Sequence, residues 1–556
     1  MSFVQPILDR LEASPDHIFL QEARDGALYA STGADLGARI RRARAFLRGS
    51  DLRPGDRVAL LGANSIPWVA VDIALLAEGI VVVPLYARQR PAELAGILRD
   101  CAPSLLLADD PALLEPLHEA GAPETPFRPL ADLVEGEEDD APGSGGGPSA
   151  APLDAEDPVT IIYTSGTSGE PKGVVLNGRN LDHMLGATRD RLDLLMKGHA
   201  GEERAFHYLP FCFAGSWILM LLALARGTVL TLNTDLTRIV EDLAIARPHF
   251  FQNVPVLMDR VRDGVEQALR RRGGPVRALW EGAFRATVAA ADGERPGLRD
   301  RIALAGARSV LFPSIRRRIG TDLRSLICGS APLARDTQLF FEMIGIPVLQ
   351  VYGLTETTAI CTMDAPGEVV PGRVGRAIPD VEMRLGENDE ILVRGPNVFG
   401  GYWNRPEATT AAFVDGWFRT GDQGEMDESG NWRVLGRVKN LIVPSSGHNV
   451  APEPLEEKVA ARVPGASQVV LVGNGRPHLA AIITGPVEVS DVEAALEDLN
   501  RELPHYQRIR GSIVVTEPFT IESGLVTANG KVRRNAVAER LADRIDAIYD
   551  RSRVPA

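Results

Sequence analysis

TIIYTSGTSGEPKG, residues Thr160–Gly173, is the stretch that says most about the fold of this 556-residue chain. An apolar, β-branched run typical of a buried strand leads into a loop of Ser, Thr and Gly that ends at Lys172. Glycines let the backbone turn its N–H groups inward, hydroxyls add donors, and the lysine supplies positive charge, as a cradle for a triphosphate requires. The stretch does not match GxxxxGK[ST], because Pro171 precedes Lys172 and Gly173 follows it. It does not match the dinucleotide-binding pattern GxGxxG either. A flexible surface loop is the alternative interpretation.

The sequence around this stretch alternates between helical and strand patterns. Residues 35–48 and 69–79 have apolar side chains at helical spacing, whereas 56–63 and 80–87 are short apolar runs typical of buried strands. A second alternating segment runs from about 158 to 380. Strands that alternate with helices predict a mostly parallel sheet with helices on both faces.

The later part of the chain has different patterns. Residues 259–310 are rich in arginine and predict a long helical insertion with a solvated charged face. Residues 381–435 are strand-rich and punctuated by glycine, which favours antiparallel hairpins. We therefore predict an α/β protein. Its large N-terminal domain, residues 1–437, has helix-covered, mostly parallel sheets and a β-rich subdomain, and a small, mobile α+β domain follows at 438–556.

Composition excludes several classes of protein. The chain has 60 Lys and Arg against 74 Asp and Glu, a net charge of −14, which argues against a nucleic-acid surface. The acidic and Gly-rich segment 134–157 predicts a flexible linker. The longest clean apolar run, Trp217–Ala225, is about half of what a bilayer needs, so no transmembrane segment is expected.

The cysteines and the N-terminus favour a cytoplasmic location. The N-terminus has no secretory signal pattern. The cysteines lie far apart without a CxxC pair, which indicates neither disulfides nor a zinc site: Cys101, Cys212, Cys328 and Cys361. Peripheral contact with a membrane stays open.

Six motifs together resemble one family. YTSGTSGEPKGVVL resembles the phosphate loop of the adenylate-forming superfamily, which comprises acyl-CoA synthetases, luciferases and the adenylation domains of peptide synthetases. The later motifs of that superfamily are matched in order by GSAPL (329–333), VYGLTETT (351–358), GWFRTGD (416–422), LGRVKNLI (435–442) and TANGKVRR (527–534). The resemblance extends from Asp56 to Arg534, and it implies ATP-dependent activation of a carboxylic acid.

The resemblance assigns nucleotide-binding roles, with ATP and Mg²⁺ as the implied ligands. It implies a phosphate cradle made of Thr164, Ser165, Gly166, Thr167, Ser168, Gly169 and Lys172. It implies contacts to the adenine side and the α-phosphate from Gly329, Ser330, Ala331, Tyr352, Gly353 and Thr355. It gives Mg²⁺ the oxygen ligands Glu356 and Thr167, and the ribose the residues Asp422 and Arg437. On its own, Asp422 would be an ordinary turn-capping residue.

The C-terminal motifs imply catalysis in two half-reactions. Lys531 corresponds to the lysine that bridges the substrate carboxylate and the ATP phosphate, where an ammonium offsets the repulsion between two anions. Lys439 lies at the hinge about which the small domain would rotate between the half-reactions. Gly447 would then leave room for the pantetheine arm of CoA, and a simple turn glycine is the equal alternative.

The acyl-binding segment departs from the family pattern. LPFCFAG (209–215) resembles LPLFHxxG, but Phe213 occupies the usual histidine position and makes the site more apolar. Trp217 matches a tunnel-gating tryptophan of some fatty-acyl members, with core packing as the alternative. Asn253 lies in FFQNVPVLMDRV (250–261), which resembles the long-chain branch. The predicted acyl pocket is therefore Phe213, Trp217, Asn253 and Gly447, for a fatty or bulky acid.

The resemblance predicts an AMP-forming acyl-CoA synthetase with ATP, Mg²⁺ and CoA as ligands. One alternative transfers the acyl group to a separate carrier-protein thiol or to an amine, because the chain has no carrier domain of its own. A non-enzymatic nucleotide-binding module and a luciferase-type monooxygenase are less favoured alternatives. No nucleic-acid partner is expected, and the sequence leaves a homodimer open.

Overall fold

The computed structural model describes residues 3–135, 149–152, 154–165, 171–520, 522–526 and 532–551, with the side chains of Ser165 and Arg551 also left out. Most of the predicted linker at 134–157 lies outside these residues. The chain divides into two compact units. The first comprises Met1–Met383, Val393–Phe418 and Met426–Trp432, and the second comprises Arg384–Leu392, Arg419–Glu425 and Arg433–Ala556. The predicted domain boundary at 437/438 stays a prediction.

Helices and strands alternate through the first half of the chain. The α-helices are α1 (Gln5–Ala13), α2 (Gly33–Gly49), α3 (Ile66–Ala77), α4 (Pro91–Cys101), α5 (Leu114–Glu119), α6 (Ala131–Val134), α7 (Gly178–Leu195), α8 (Ala214–Arg226), α9 (Ile239–Ala246), α10 (Pro255–Arg270), α11 (Gly274–Ala291), α12 (Leu298–Val310), α13 (Phe312–Ile319), α14 (Arg335–Met343), α15 (Pro406–Ala411), α16 (Pro452–Arg462), α17 (Val489–Glu502), α18 (Arg534–Arg540) and α19 (Ala542–Arg551). Short 3₁₀ helices cover Pro111–Leu113, Leu236–Arg238, Thr355–Thr357, Glu387–Asp389, Val438–Asn440 and His505–Gln507.

The strands are β1 (Ile18–Arg24), β2 (Ala27–Thr32), β3 (Arg57–Gly62), β4 (Val81–Tyr86), β5 (Leu105–Ala108), β6 (Phe127–Pro129), β7 (Pro158–Ser165), β8 (Pro171–Asn177), β9 (Arg204–His207), β10 (Val229–Asn233), β11 (Phe250–Asn253), β12 (Ser325–Cys328), β13 (Val348–Tyr352), β14 (Thr362–Met363), β15 (Arg376–Ala377), β16 (Glu382–Leu385), β17 (Glu390–Arg394), β18 (Gly401–Tyr402), β19 (Phe413–Val414), β20 (Trp417–Met426), β21 (Trp432–Arg437), β22 (Gln468–Val472), β23 (Leu479–Thr484) and β24 (Ile509–Val515). The predicted helices at 35–48 and 69–79 correspond to α2 and α3, and the predicted strands at 56–63 and 80–87 to β3 and β4.

Two large sheets form the first unit. One has nine strands in the order β15-β14-β13-β12-β11-β9-β10-β1-β2, and its neighbours from β13 to β1 are parallel. The other has seven strands in the order β18-β8-β7-β4-β3-β5-β6, of which β7 to β6 are parallel. The predicted helix-covered, mostly parallel sheets are therefore confirmed.

Helix α3 is buried on every side, and from Trp68 to Ala77 its side chains are apolar except for Asp72. It contacts β3 and β4 of the seven-stranded sheet and β1 of the nine-stranded sheet. Every side chain from Trp68 to Ala77 is buried. A helix without a polar face is typical of such an interior position. This explains why the sequence there shows little amphipathic contrast.

The arginine-rich segment at 259–310 is helical, as predicted. It forms most of α10 and the whole of α11 and α12. Phe340, Trp280 and Phe312 hold these helices to the nine-stranded sheet through one apolar cluster, with ring centroids 5.6 Å apart for Trp280 and Phe340. Antiparallel pairing between β19 and β20 confirms a hairpin in the 381–435 region.

The second unit is built around a three-stranded sheet in the order β22-β23-β24. Alternate residues of β23 face opposite layers: Leu479, Ala481 and Ile483 pack in one cluster with residues of α16 and α17. Ala480 and Ile482 pack in another cluster with residues of α18 and α19. The strand is apolar throughout because both of its faces are covered. Strands β22 and β23 and helix α17 agree with the α+β character predicted for the C-terminal part of the chain.

No helix in the described ranges combines the length and the apolar character that a bilayer crossing needs.

The carboxyl group of Asp72 lies in the core of the first unit. Asp72 on α3 is 0% exposed, and its Oδ2 accepts a hydrogen bond from Nε1 of Trp217 on α8 at 2.9 Å. Its other oxygen has no partner among the described residues. Burial raises the pKa of Asp72 to about 7, and the indole hydrogen bond only partly offsets this. The carboxyl group is thus stabilised in its protonated form.

We expect Asp72 to make the stability of the fold depend on pH. An unfolded aspartate loses its proton near pH 3.9, whereas the native carboxyl keeps it to about 7, so the free energy of unfolding falls as the pH rises between these values. From pH 5 to pH 7 the loss is about 2 kcal/mol. Asp72→Asn keeps an oxygen for Trp217 and should remove this slope. Denaturant unfolding at several pH values measures it.

The difference between Asp72→Asn and the parent is the informative quantity, because burial also raises the pKa of Asp364 to about 7. The exposed Asp51 supplies the control, since Asp51→Asn should leave the slope unchanged. Equal slopes in the parent and in Asp72→Asn would refute the assignment.

Candidate active site

The carboxyl ends of adjacent parallel strands bring several predicted residues to one edge of the nine-stranded sheet. Asn253 ends β11, Gly329 follows β12, and Tyr352 ends β13. Register pairs Asn253 with Cys328, and the Gly329 N–H donates to the Asn253 carbonyl at 3.3 Å. Ligands of open α/β sheets bind at this edge. The sheet topology therefore brings together the segments GSAPL (329–333) and VYGLTETT (351–358) and the predicted acyl segment that contains Asn253.

The turn after β13 carries Glu356 in a short 3₁₀ helix, Thr355–Thr357. At Gly353, a Cβ would lie 2.3 Å from the Ala359 carbonyl oxygen, so only glycine fits. Ser330, in the turn after β12, has φ of 71°. This value lies in the left-handed region, which residues other than glycine rarely adopt. The close approach at Gly353 and the left-handed φ of Ser330 occur at the two motifs with predicted nucleotide roles, and backbone strain is often found at functional sites.

The segment before β18 holds this turn in place. Asn397 is 0% exposed and donates to the carbonyls of Thr357 and Ile360, while the Thr358 hydroxyl donates to the Asn397 carbonyl at 2.7 Å. The Phe399 N–H donates to the carbonyl of Glu356 at 2.9 Å. Sequence reasoning missed Asn397, although GPN directly after a buried strand is a signal for an ordered turn.

Tyr402 contacts both Lys172 of the predicted phosphate cradle and Glu356, the predicted Mg²⁺ ligand. Its hydroxyl donates to Oε1 of Glu356 at 2.9 Å, and Nζ of Lys172 lies 5.0 Å from the centroid of its ring. The first contact fixes a carboxylate and the second is a cation–π interaction. Lys172 belongs to β8 of the seven-stranded sheet, and Glu356 follows β13 of the nine-stranded sheet. Tyr402 therefore joins the functional edges of both sheets, and no motif pointed to it.

Only part of the predicted phosphate loop is described. Thr164 on β7 pairs with Lys172 on β8 in antiparallel register, so the loop connects two adjacent strands. Gly166, Thr167, Ser168 and Gly169 lie outside the described residues, as does the side chain of Ser165. The predicted roles of these residues stay predictions, as do those of Ala331, which is exposed, and Thr355.

The predicted ribose-binding pair lies in the second unit. Asp422 is 6% exposed, and its Oδ1 lies 2.7 Å from Nε of Arg437. Arg437 also donates to the carbonyl of Thr420 at 3.2 Å, which locks the guanidinium beside the turn. Gly421 has φ of 68°, and its N–H donates to Glu390 at 3.0 Å. The aspartate is therefore held rigidly, as a group that accepts hydrogen bonds from vicinal hydroxyls needs to be.

The remaining predicted residues of the second unit have less defined surroundings. Lys439 is exposed in the short helix Val438–Asn440. Gly447 is exposed with φ of 76°, and a Cβ there would meet nothing within 4 Å. A turn requires glycine at this φ, which fits the alternative weighed for Gly447. Lys531 lies outside the described residues.

The predicted acyl residues differ in their surroundings. Phe213 lies at the N-terminus of α8, with its ring centroid 6.1 Å from that of Tyr86 at the end of β4. Asn253 is 2% exposed. Trp217 is 0% exposed and bonded to Asp72. Its position in the interior accords with core packing, the alternative weighed for it. The lining of a narrow buried tunnel would have the same exposure.

Glu356 is suited to Mg²⁺. Its Oε2 accepts no hydrogen bond from any described residue, while Tyr402 orients the carboxylate through Oε1. A hard cation prefers such an oxygen and keeps several waters besides. The described part of the chain has no cluster of three or more His, Cys, Asp or Glu side chains that could hold a metal ion.

Comparison with known families identifies the class of protein. The family described as AMP-binding enzyme matches residues 8–403, and the family described as AMP-binding enzyme C-terminal domain matches residues 439–553. The chain therefore belongs to the AMP-binding enzyme family, and the predicted resemblance is confirmed.

Two individual relatives and one solved structure resemble the chain over most of its length. The chain is 31% identical to the long-chain-fatty-acid–CoA ligase FadD15 of Mycobacterium bovis, covering 97% of this chain and 95% of the relative. It is 26% identical to the long chain acyl-CoA synthetase 3 of Arabidopsis thaliana, covering 90% and 84%. The solved structure of ATP-bound MatB from Rhodopseudomonas palustris superposes with a TM-score of 0.74 at 24% identity, covering 98% of this chain and 100% of that one. At that identity the likeness shows the fold, and the predicted fold class is confirmed.

Tyr402→Phe should weaken the handling of Mg²⁺ and ATP. The variant keeps the ring beside Lys172 and loses the hydrogen bond to the carboxylate, a contact typically worth about 1.5–3 kcal/mol. We expect kcat/KM for ATP to fall about tenfold or more, and the Mg²⁺ concentration at half-maximal rate to rise. The KM for the acid should stay within about twofold of the parent value. Pyrophosphate release against a Mg²⁺ titration measures this.

Two further variants sharpen this test. Tyr402→Leu also removes the ring beside Lys172 and should raise the KM for ATP further than Tyr402→Phe. Trp403→Phe alters the adjacent aromatic residue, which contacts Arg57 and not Glu356, and should leave the Mg²⁺ dependence unchanged. If Tyr402→Phe and Trp403→Phe behave alike, Tyr402 does not position Glu356.

Trp217→Ala separates the two interpretations of Trp217. If the indole lines an acyl tunnel, its loss opens volume and should shift the preference gradually toward longer or bulkier acids, because one methylene is worth only about 1–3 kcal/mol. If the indole only packs the core, the change should cost about 3–5 kcal/mol of stability and leave the acid profile unchanged. Melting temperature and acid profile are measured on the same purified protein.

Trp68→Ala is the matched control, because Trp68 is also a buried tryptophan, 2% exposed, on α3. It should destabilise the protein without moving the acid profile. An unchanged profile in both variants would place Trp217 in the core alone.

Proposed function

We propose that this protein is an AMP-forming acyl-CoA synthetase that uses ATP, Mg²⁺ and CoA to activate a hydrophobic carboxylic acid. One observation carries the proposal: Tyr402 holds a carboxylate and an ammonium, Glu356 and Lys172, at the carboxyl edges of two parallel sheets. These are the groups that a magnesium–triphosphate complex needs. Membership in the AMP-binding enzyme family and full-length similarity to a long-chain-fatty-acid–CoA ligase support the same activity.

In the first half-reaction the acid's carboxylate attacks the α-phosphorus of ATP. The new P–O bond gives the acyl-adenylate, and the bond to the β-phosphate oxygen breaks to release pyrophosphate. Lys172 balances charge on the departing phosphates. Glu356 would hold Mg²⁺ through Oε2, and the bound ion would help to neutralise the phosphate charge. Asp422, fixed by Arg437, is proposed to accept hydrogen bonds from the ribose hydroxyls.

In the second half-reaction the thiol of CoA attacks the acyl carbonyl of the adenylate. The C–S bond forms, AMP leaves with the electron pair of the C–O bond, and the thiol proton goes to solvent or to a base. We propose that Lys531 serves the first half-reaction, and that Lys439 and Gly447 serve the change to the second. These assignments rest on the family motifs in which the three residues lie.

A long-chain acid is the favoured substrate. The relatives at 31% and 26% identity carry the names of long-chain ligases, and their coverage extends over at least 84% of both chains. Phe213 stands where the motif usually has histidine, and its ring lies beside that of Tyr86. Two aromatic rings at the proposed carboxyl end make that end apolar. We propose Phe213, Asn253 and Trp217 as pocket residues.

A carrier-protein thiol or an amine is the alternative acceptor, and a homodimer is the proposed alternative to a monomer. None of the four cysteines forms a disulfide with another described residue, which is compatible with the proposed cytoplasmic location.

A carboxylate panel tests the proposed function. Purified protein is given ATP, Mg²⁺ and saturated acids of increasing length, and pyrophosphate release is measured with and without CoA. We expect turnover that depends on the acid, that is highest with long chains and that requires CoA for multiple turnovers. Pyrophosphate release that does not depend on the acid would contradict the proposal. Turnover with a carrier protein but not with CoA would select the alternative acceptor.

Lys531→Ala should separate the half-reactions. Loss of its ammonium leaves two anions to repel each other, so turnover of acid with ATP should fall by about 10²–10³, the range seen when one preorganised charge-stabilising donor is removed. The same variant given synthetic acyl-adenylate should form thioester at nearly the parent rate. Lys458→Ala, a lysine on α16 outside these motifs, is the control. Equal losses in both assays would exclude a role confined to adenylation.

A further inference from the structure

The helical segment 255–319 carries charge opposite to that of the protein as a whole. It contains 14 arginines and seven Asp or Glu residues, in a chain with a net charge of −14. Most of these arginines are exposed. The segment comprises α10 to α13 and has no residue among those assigned above to nucleotide binding. Neither the proposed reaction nor the core of the first unit explains so strong a concentration of positive charge.

Helix α12 also exposes aliphatic side chains at helical spacing. Its inner side packs on α11, with Ala307 fully buried. On its outer side Leu298 is 71% exposed and Ile302 is 63% exposed. Ala305 and Ser309 continue the same face, because positions four, seven and eleven residues after the first lie nearly above it. We call Leu298, Ile302, Ala305 and Ser309 the aliphatic stripe.

Arginines flank the aliphatic stripe on both sides. At about 100° per residue, Arg299 lies on one side of the stripe, and Arg301 and Arg308 lie on the other. All three are exposed, and none of them forms an ion pair with another described residue. Elsewhere in the segment arginines are paired, for example Arg285 with Asp300 at 2.9 Å. Arg317 and Arg318 on α13 add exposed charge beyond the end of α12.

We propose that the outer face of α12 docks on a membrane surface that carries anionic phospholipids. An apolar stripe flanked by arginines is the arrangement by which a helix lies in the plane of the headgroups, with the aliphatic side chains among the acyl chains and the guanidinium groups at the phosphates. The acidic remainder of the protein would be repelled by such a surface, so the opposite charges orient the molecule with α12 toward the lipid.

The charge of this face argues against other occupants. A second copy of the chain would bring arginines against arginines across a twofold interface. A nucleic acid would use the arginines but would leave Leu298 and Ile302 without an apolar environment. An anionic lipid surface offers phosphates to the arginines and acyl chains to Leu298 and Ile302. Docking would place the enzyme where a water-insoluble acid dissolves, and this consequence alone rests on the proposed function.

Vesicle sedimentation tests the docking surface. The full chain is mixed with sucrose-loaded vesicles of phosphatidylglycerol and phosphatidylcholine in equal parts, or of phosphatidylcholine alone, at low and high salt. We expect binding to the anionic vesicles that weakens at high salt, and little binding to the neutral ones. Two variants dissect the surface: Leu298→Ser with Ile302→Ser, and Arg299→Gln with Arg301→Gln and Arg308→Gln. Each should weaken partitioning by about tenfold or more.

Matched controls change equivalent exposed residues elsewhere. Val240→Ser replaces an aliphatic side chain that is 67% exposed on α9. Arg53→Gln with Arg128→Gln and Arg544→Gln removes the same charge from exposed positions outside the segment. Both controls should bind anionic vesicles as the parent does. Equal binding by the parent and both α12 variants would overturn the proposal, as would equal binding of the parent to neutral vesicles.

Two additional measurements distinguish other outcomes. Sedimentation velocity without lipid should show the same species for the parent and for Leu298→Ser with Ile302→Ser, and dissociation of an oligomer in that variant would assign α12 to an interface between copies instead. Pyrophosphate release with a water-soluble acid should be equal in the parent and all variants without vesicles. If the parent releases no pyrophosphate with any acid of the carboxylate panel, the proposed function fails while the vesicle result still stands.

Discussion

The hydrogen bond from Tyr402 to Glu356 is the contact on which the candidate site depends most. It joins a turn after the nine-stranded sheet to the edge of the seven-stranded sheet, and the same ring receives Lys172. A carboxylate and an ammonium left to themselves would pair with each other. The phenol of Tyr402 contacts both groups, and Oε2 of Glu356 accepts no hydrogen bond from a described residue.

Parallel sheets are the reason that such a site can form from residues far apart in sequence. Strands β9, β11, β12 and β13 run in the same direction, so the loops after them meet at one edge. Buried amides then fix those loops. Asn180 donates to the carbonyls of Pro396 and Val398, both at 2.8 Å, and Asn397 donates to the turn that carries Glu356. Because a buried N–H donor without a partner is costly, these contacts favour one arrangement of the backbone.

Charge and apolar surface are distributed unevenly over helices α10 to α14 of the first unit. Buried aromatic rings hold α10 to α14 to the large sheet. The outer side of the same helices is arginine-rich and carries exposed aliphatic residues, so the insertion has one face for the core and one for a partner. The interpretation of its charge as a solvated helix face accounts for the exposure of the arginines but not for the exposed Leu298 and Ile302.

The sequence by itself determined the family, the order of strands and helices, and most candidate residues. Apolar periodicity is local, and the motifs are contiguous, so both can be read without a fold. Tertiary structure alone revealed Tyr402, Asn397 and the Asp72–Trp217 pair, because each acts through a partner between 40 and 145 residues away, and no local pattern marks such a contact. The same limit applies to Trp217: an apolar helix predicts burial, but only packing decides which neighbours surround the indole.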